Sequence, residues 1–152
     1  NNMSVLLGAK RMELSELETV YQSEQHKIKL NDPKKVFNET KDLQAWKKEA
    51  FVVFCLDTDL SIISREIITI GTLNSCIIHP REIFRTAITR NANSIIVAHN
   101  HPSGNLTPSK EDLDITKQLK KAGEILNILL LDHVIVSKQG YHSIKDKENF
   151  IF

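Results

Sequence analysis

Three continuous apolar runs, separated by helical patterns, constrain the fold of this chain more than any other feature. The runs cover residues 51–56, 94–99 and 128–136, and their length and β-branched content favour buried strands. A further strand at 60–70 follows the first run after the turn 57–59, and is predicted to form a hairpin with it. Strands interleaved with helices predict an α/β (mixed α+β) domain, in which helices flank a mixed sheet in three layers.

Dipeptides that end in proline mark the predicted helix starts, because an N-cap residue followed by proline favours the first helical turn. Three of the four such dipeptides in the chain are interpreted in this way: Asp32-Pro33, His79-Pro80 and Thr107-Pro108. The first begins one or two helical segments that reach about Glu49, and the second begins a helix that ends near Asn91. The third begins a long helix, whose apolar stripe has helical spacing. That stripe consists of Ile115, Leu119, Ala122 and Leu126.

The two ends of the chain add shorter elements. Residues 1–31 are predicted to be an N-terminal extension packed on the domain, with one strand near residues 17–21. Residues 32–152 then form a single domain, since a chain of 152 residues has the usual size for one core. After the third apolar run, residues 138–140 are a predicted turn and residues 141–144 a short return strand.

Composition excludes several classes of protein. Twenty basic and nineteen acidic residues give a net charge of +1, which argues against tight binding to duplex DNA. Cys55 and Cys76 form no C-x-x-C pattern, so we expect buried, reduced thiols rather than a thiolate metal site. No apolar run approaches the ~20 residues that span a bilayer, and the start is not typical of a signal peptide. We therefore expect a cytoplasmic protein with no membrane contact.

The strongest chemical pattern is formed by His99, His101, Ser109 and Asp112. Residues two apart on a strand point to the same side, so both imidazoles project together. Ser109 and Asp112 are three apart at a helix start and share a helical face, although alone they also fit a capping box. The turn at 102–104 would bring the four side chains together. Two imidazoles and one carboxylate are typical ligands of a catalytic zinc, which keeps a fourth position for water.

This pattern resembles that of a known family. The run His99 to Gly104, with Ser109 and Asp112, resembles the JAMM/MPN (JAB) zinc metalloprotease motif, and more closely the bacterial RadC family. The resemblance covers about residues 32–145 and includes four further segments: 71–75, 79–84, 131–136 and 140–143. It implies a JAB/MPN fold, which is similar to that of cytidine deaminases. It also implies a short form, without the N-terminal helix-hairpin-helix region of longer members.

The resemblance also implies roles for single residues. The family's zinc ligands match His99, His101 and Asp112, and Ser109 matches the serine that hydrogen-bonds the substrate carbonyl or oxyanion. A general-base glutamate belongs at the start of an apolar strand, where Glu49 fits, and Glu82 is the rival. The implied activity is zinc-dependent hydrolysis of peptide or isopeptide bonds, with a peptide or protein as substrate and one zinc ion as cofactor.

Asp132 and His133 are a polar pair inside an otherwise apolar run, so each requires a partner. In a regular strand they face opposite sides of the sheet. Either residue is a candidate to orient a ligand imidazole, and a structural hydrogen bond is the alternative role.

Three other functions compete with hydrolysis. The RadC resemblance also implies a DNA repair-associated or DNA-processing factor without peptidase activity. A zinc deaminase would need H-x-E and P-C-x-x-C motifs, and the chain has no such cysteines. A non-catalytic scaffold is disfavoured by the intact ligand set. The sequence does not determine the substrate or the oligomeric state.

Overall fold

The computed structural model describes residues 27–71 and 78–152, so the predicted strand near 17–21, the loop at 72–75 and Cys76 lie outside the described residues. The elements of the described part follow in chain order: α1 (Pro33–Asn38), α2 (Lys41–Gln44), β1 (Glu49–Leu56), β2 (Ile62–Gly71), α3 (Pro80–Thr89), β3 (Ser94–Asn100), α4 (Lys110–Leu126), β4 (Leu129–Ser137), β5 (Gly140–Ser143) and α5 (Ile144–Lys147). Among these helices, none has both the length and the apolar character needed to cross a bilayer.

The five strands form one mixed sheet in the order β2-β1-β3-β4-β5. Strand β1 is antiparallel to β2 and to β3, and β4 is antiparallel to β5. Only β3 and β4 are parallel within the described residues, and α4 supplies the crossover that a parallel pair requires. The predicted mixed sheet and the hairpin between its first two strands are confirmed.

Side chains of the central strands alternate between two apolar cores. One core joins Phe51, Val53 and Cys55 to residues of α3 and α4, and the other joins residues such as Val52 and Phe54 to α1 and α2. Strand β1 is buried along nearly its whole length because helices cover both faces of the sheet. The three-layer arrangement predicted from the sequence is therefore confirmed, and the Cys55 thiol is buried and unpaired.

Two predicted boundaries in the first half of the chain are wrong. The helical segments that begin at Pro33 end at Gln44, and Glu49 is the first residue of a strand. The change to extended backbone has a tertiary cause, because the Asn100 side chain accepts a hydrogen bond from the Ala50 N–H at 2.7 Å. The start of β1 is thereby fixed against the end of β3.

Two predicted boundaries in the second half also shift. The long helix begins at Lys110 rather than at Thr107-Pro108, because Ser109 acts as its N-cap. The return strand ends at Ser143 and not at Ile144, which begins α5. In that second case the Ser143 hydroxyl accepts a hydrogen bond from the Asp146 N–H at 3.1 Å, and this cap turns the chain into a helix.

Candidate metal centre

The end of strand β3 carries the two predicted imidazole ligands. His99 is fully buried and lies opposite Phe51 in the antiparallel ladder with β1. The His101 N–H donates to the Val136 carbonyl at 3.0 Å, so the chain stays attached to β4 just beyond the end of β3. Because the two histidines are separated by one residue of extended chain, their rings lie on the same side of the sheet, with centroids 4.8 Å apart.

The first turn of α4 carries the carboxylate. The chain turns back after β3 through Gly104, which has a φ of 87° that favours glycine. Ser109 and Asp112 then form a reciprocal capping box: the Asp112 N–H donates to the Ser109 hydroxyl at 3.0 Å, and the Ser109 N–H donates to Asp112 Oδ2 at 2.8 Å. The box fixes the carboxylate in front of the histidine rings.

Three side chains thus meet at one point. His99 Nε2 lies 2.9 Å from His101 Nε2 and 3.2 Å from Asp112 Oδ1, and His101 Nε2 lies 3.2 Å from Asp112 Oδ2. Ligand atoms from the three residues all lie within 4.8 Å of one another. For comparison, nitrogen ligands of a tetrahedral zinc, bound at ~2.0–2.1 Å, lie roughly 3.3 Å apart.

The donor atoms of this cluster suit a cation. His101 Nδ1 lies 2.6 Å from the Asn105 carbonyl, which only accepts, so Nδ1 carries the proton and Nε2 of the neutral ring presents a lone pair. Asp112 Oδ1 is buried and has no hydrogen-bond partner. Lone pairs that face one another at this distance repel unless a proton or a metal ion lies between them. Two imidazoles and one carboxylate therefore fit a divalent metal with an open coordination position.

In the absence of a metal, the pKa values of Asp112 and His101 are shifted in the directions that favour a positive charge at the site. Burial acts to raise the pKa of Asp112, but its close contacts with the His101 and His99 rings outweigh burial and hold that pKa well below its usual range. Burial also opposes the charged form of His101. Its hydrogen bonds to Asp112 and to the Asn105 carbonyl, with the charges of Asp112 and Glu49, outweigh burial and raise the His101 pKa. A proton here takes the place that a cation would fill.

The two candidate general bases lie in different surroundings. Continuing the β1–β3 register by two residues sets Glu49 opposite His101, on the face that carries both imidazoles. Its charge acts on the His101 ring. Glu82 instead lies in the first turn of α3, half-exposed, with its carboxylate 4.0 Å from Arg81 and 3.9 Å from Arg85. The structure brings Glu49 to the cluster and places Glu82 in a surface ion-pair group.

The adjacent Asp132 and His133 point to opposite faces of β4, as their alternation predicts. Asp132 accepts hydrogen bonds from the Ser143 hydroxyl at 2.6 Å and the Lys145 N–H at 3.1 Å, so it anchors the turn into α5. His133 is fully buried on the other face, and its Nε2 lies 2.7 Å from His99 Nδ1. Burial first, and then the nearby charge of His99, lowers the pKa of His133 well below its usual range.

Sequence reasoning did not identify two residues that support the cluster. Asn100 points away from its histidine neighbours, accepts from the Ala50 N–H, and donates to the Lys48 carbonyl at 3.0 Å, so it holds the peptide groups on both sides of Glu49. Thr116 in α4 lies 2.6 Å from His133 Nδ1. The position of Asn100 between the two histidine ligands could have indicated its role. The sequence around Thr116 contains no feature that indicates a role for that residue.

A cavity of about 370 Å³ adjoins this end of the sheet. Among the described residues it is lined by Lys47, Lys48, Glu49, Ile70, Gly71 and Pro102. It therefore contacts Glu49 and the turn that follows His101.

Fold and site together define the class of protein. It is an α/β domain with a cluster of two histidines and one aspartate at the end of a strand. Residues 30–149 match the family described as RadC-like JAB domain, and the chain belongs to that family. That assignment agrees with the resemblance drawn from the HNHPSG run and with the observed sheet.

Relatives in bacteria and archaea are similar over most of the chain. A UPF0758 protein of Thermotoga maritima is 50% identical over 119 residues, which cover 78% of this chain and 54% of the relative. One of Staphylococcus haemolyticus is 48% identical over 128 residues (82% and 55%), and one of Methanosarcina barkeri is 41% identical over 129 residues (84% and 56%). The chain thus spans about half the length of these relatives, whose names state no activity.

Proposed function

We propose that this domain is a zinc-dependent metallohydrolase of the JAMM type, which cleaves peptide or isopeptide bonds. The observation that carries the proposal is the convergence of His99, His101 and Asp112, with a buried, unpartnered carboxylate oxygen among their ligand atoms. The membership of the chain in the RadC-like JAB domain family supports it.

In the proposed hydrolysis, each residue of the site has a separate role. Zinc, when bound, lowers the pKa of a coordinated water to about 7 and polarises a carbonyl oxygen. Glu49 takes the proton of the attacking water and later delivers it to the leaving amine. The Ser109 oxygen accepts the α4 cap bond, which leaves its hydroxyl hydrogen to be donated to the developing oxyanion.

Glu49 is the proposed base because of where the strands hold it. It lies on the imidazole face of the sheet, opposite His101, and Asn100 fixes the backbone on both sides of it. A general base must be held within hydrogen-bond reach of the proton it removes, and a strand end fixed on both sides provides that precision. Glu82, in its surface ion-pair group, has no such support.

A metal-binding experiment is the first test. Purified protein reconstituted with zinc and desalted should contain about one zinc per chain by elemental analysis. His101→Ala and Asp112→Ala should lose the metal while circular dichroism shows the same secondary structure, because each removes one of the three ligands. Retention of stoichiometric zinc by both variants would refute this ligand set.

A cleavage experiment is the second test. Zinc-loaded protein is screened against a peptide library that includes isopeptide-linked members. Glu49→Gln should keep zinc and lose cleavage, whereas Glu82→Gln, the matched control, should keep both. The opposite result would move the general base to Glu82.

The DNA-associated alternative predicts a different result from the same protein. It requires duplex binding whose affinity falls steeply as salt increases, with no cleavage of any peptide. The net charge of +1 disfavours that outcome. A salt-titrated DNA-binding assay beside the library screen separates the two functions.

A further inference from the structure

We propose that His133 and Thr116 are positioning residues, which fix the tautomer of His99 so that its Nε2 presents a lone pair to the metal. The inference rests on the proposed function for its metal, but the hydrogen-bond pattern behind it belongs to the protein alone. Neither residue touches the ligand atoms themselves.

Four groups form a continuous buried chain behind the cluster. Thr116 Oγ1 lies 2.6 Å from the Asp112 carbonyl oxygen and 2.6 Å from His133 Nδ1. His133 Nε2 lies 2.7 Å from His99 Nδ1. Thr116, His133 and His99 are each 0% exposed. The chain therefore links α4, β4 and β3 through side chains that have no contact with solvent.

The first proton in this chain is fixed by a group that cannot donate. The Asp112 backbone carbonyl only accepts, so an oxygen–oxygen distance of 2.6 Å requires the Thr116 hydroxyl to donate to it. That hydroxyl has one hydrogen, so toward His133 it can only accept. His133 Nδ1 must then carry a proton and donate it to Thr116 Oγ1.

The tautomer of His99 follows from that of His133. A neutral imidazole carries one proton, so protonated Nδ1 leaves Nε2 of His133 as an acceptor. At 2.7 Å from that acceptor, His99 Nδ1 must be the donor. Nε2 of the neutral His99 ring then holds the lone pair that faces Asp112 and His101.

Both metal-ligand rings are thus fixed in the same tautomer by backbone carbonyls. For His101 the Asn105 carbonyl acts directly, and for His99 the Asp112 carbonyl acts through Thr116 and His133. The rings are also held by packing, since Phe51 stacks on His99 with a centroid distance of 5.9 Å and meets His133 edge-on at 5.5 Å. Partners of this kind orient a metal ligand and raise its affinity for the ion.

The first experiment uses metal-free protein labelled with ¹⁵N-histidine near pH 8, where long-range ¹H–¹⁵N spectra report which ring nitrogen carries the proton. His99 and His133 should both be protonated at Nδ1. Thr116→Ser, which keeps the hydroxyl, should show the same pattern. Thr116→Val, which keeps the shape and removes the acceptor, should move the His133 proton to Nε2. An Nε2-protonated His133 in the wild-type protein would overturn the inference.

The second experiment measures zinc affinity by competition with a chromophoric chelator. Thr116→Val and His133→Phe should bind zinc ~10–100-fold more weakly, as loss of such partners does in other sites. Thr116→Ser should bind like the wild type, and His133→Gln, whose amide oxygen replaces the acceptor, should recover part of the loss. A merely structural role would not separate Thr116→Ser from Thr116→Val in this way.

The outcomes distinguish this inference from the proposed function. If Thr116→Val and His133→Phe, both folded by circular dichroism, bind zinc as tightly as the wild type, the positioning role is refuted and the metal site stands. If the wild-type protein binds no zinc, the proposed function is refuted. The histidine spectra of the metal-free protein then still decide the tautomers.

Discussion

Asn100 shows how a single side chain links the two halves of the site. Its neighbours on either side contribute the imidazole ligands, while its own amide lies on the opposite face and contacts the backbone at Lys48 and Ala50. One residue position therefore fixes the end of β3 and the start of β1 at once. The spacing of the two histidines is thus coupled to the placement of Glu49.

Replacing Asn100 should cost stability because it leaves a buried donor unsatisfied. In Asn100→Ala the Ala50 N–H loses its 2.7 Å acceptor, and an unsatisfied buried group costs about 1–3 kcal/mol. Urea unfolding should show that loss. The exposed Asn93→Ala serves as control and should stay within about 0.5 kcal/mol of wild type. Equal unfolding midpoints for the two variants would contradict the assigned role.

His101 should make the stability of the metal-free protein depend on pH. Its folded pKa is raised above the unfolded value near 6.5, because its hydrogen bond to Asp112 outweighs burial. The contribution of the protonated ring is therefore complete below about pH 6.5 and is lost as the pH rises through the folded pKa. Stability falls as the pH rises through this range because the folded state holds the His101 proton more tightly than the unfolded state does.

The measurement is urea unfolding of chelator-treated protein at several pH values, for wild type and for His101→Gln. The difference in unfolding free energy should favour the wild type most at the acidic end and shrink toward alkaline pH. Titrating groups that do not contact His101 are common to both proteins and cancel. A difference that grew with pH would contradict the raised pKa.

At the scale of elements, the position of α4 against β4 determines where Asp112 lies. A Cβ placed on Gly123 would lie 2.5 Å from the Ile128 carbonyl oxygen and 3.3 Å from the Leu130 nitrogen. The helix thus packs directly on the backbone that leads into β4, which requires a residue with no side chain. The same close approach brings Thr116 within reach of His133.

Gly123→Ala should destabilise the fold although alanine favours helices. The gain in helix propensity is ~1 kcal/mol, whereas overpacking against a rigid backbone atom costs roughly 1–3 kcal/mol, so a net loss of up to about 2 kcal/mol is expected. Thermal or urea unfolding measures it, with the exposed Lys121→Ala in the same helix as control. A Gly123→Ala protein more stable than wild type would show that α4 has room to move.

Over the whole molecule, the cluster joins the end of the sheet to the first turn of α4. A metal that binds only the folded state would therefore stabilise the contact between these two elements. At free zinc 100-fold above its dissociation constant, the added stability is about 2.7 kcal/mol. For a domain of this size that corresponds to a rise in Tm of roughly 5–10 °C.

Calorimetry with and without zinc tests that expectation. The wild type should show the rise, and excess chelator should reverse it. His101→Ala should show no rise, because the remaining residues leave the ion with one imidazole and one carboxylate. A zinc-dependent shift of equal size in His101→Ala would place the binding elsewhere on the chain.

The predictions from sequence succeeded where short-range periodicity was sufficient. The apolar runs predicted the strands, and the alternation of Asp132 and His133 predicted their opposite faces. The stripe of Ile115, Leu119, Ala122 and Leu126 predicted α4, although its last member, Leu126, is exposed. Boundaries failed where a distant contact decided them. The start of β1 at Glu49 depends on Asn100, about fifty residues away along the chain.

What the sequence determined by itself were the local units: two imidazoles two positions apart on a strand, and a serine and an aspartate three apart at a helix start. The relative directions of these side chains follow from the backbone geometry of a strand and of a helix. Only the tertiary structure decided that Glu49 lies opposite His101 and that Thr116 and His133 stand behind His99. The reason is that strand order, register and helix packing are set by the burial of both cores together, which no short stretch of sequence encodes.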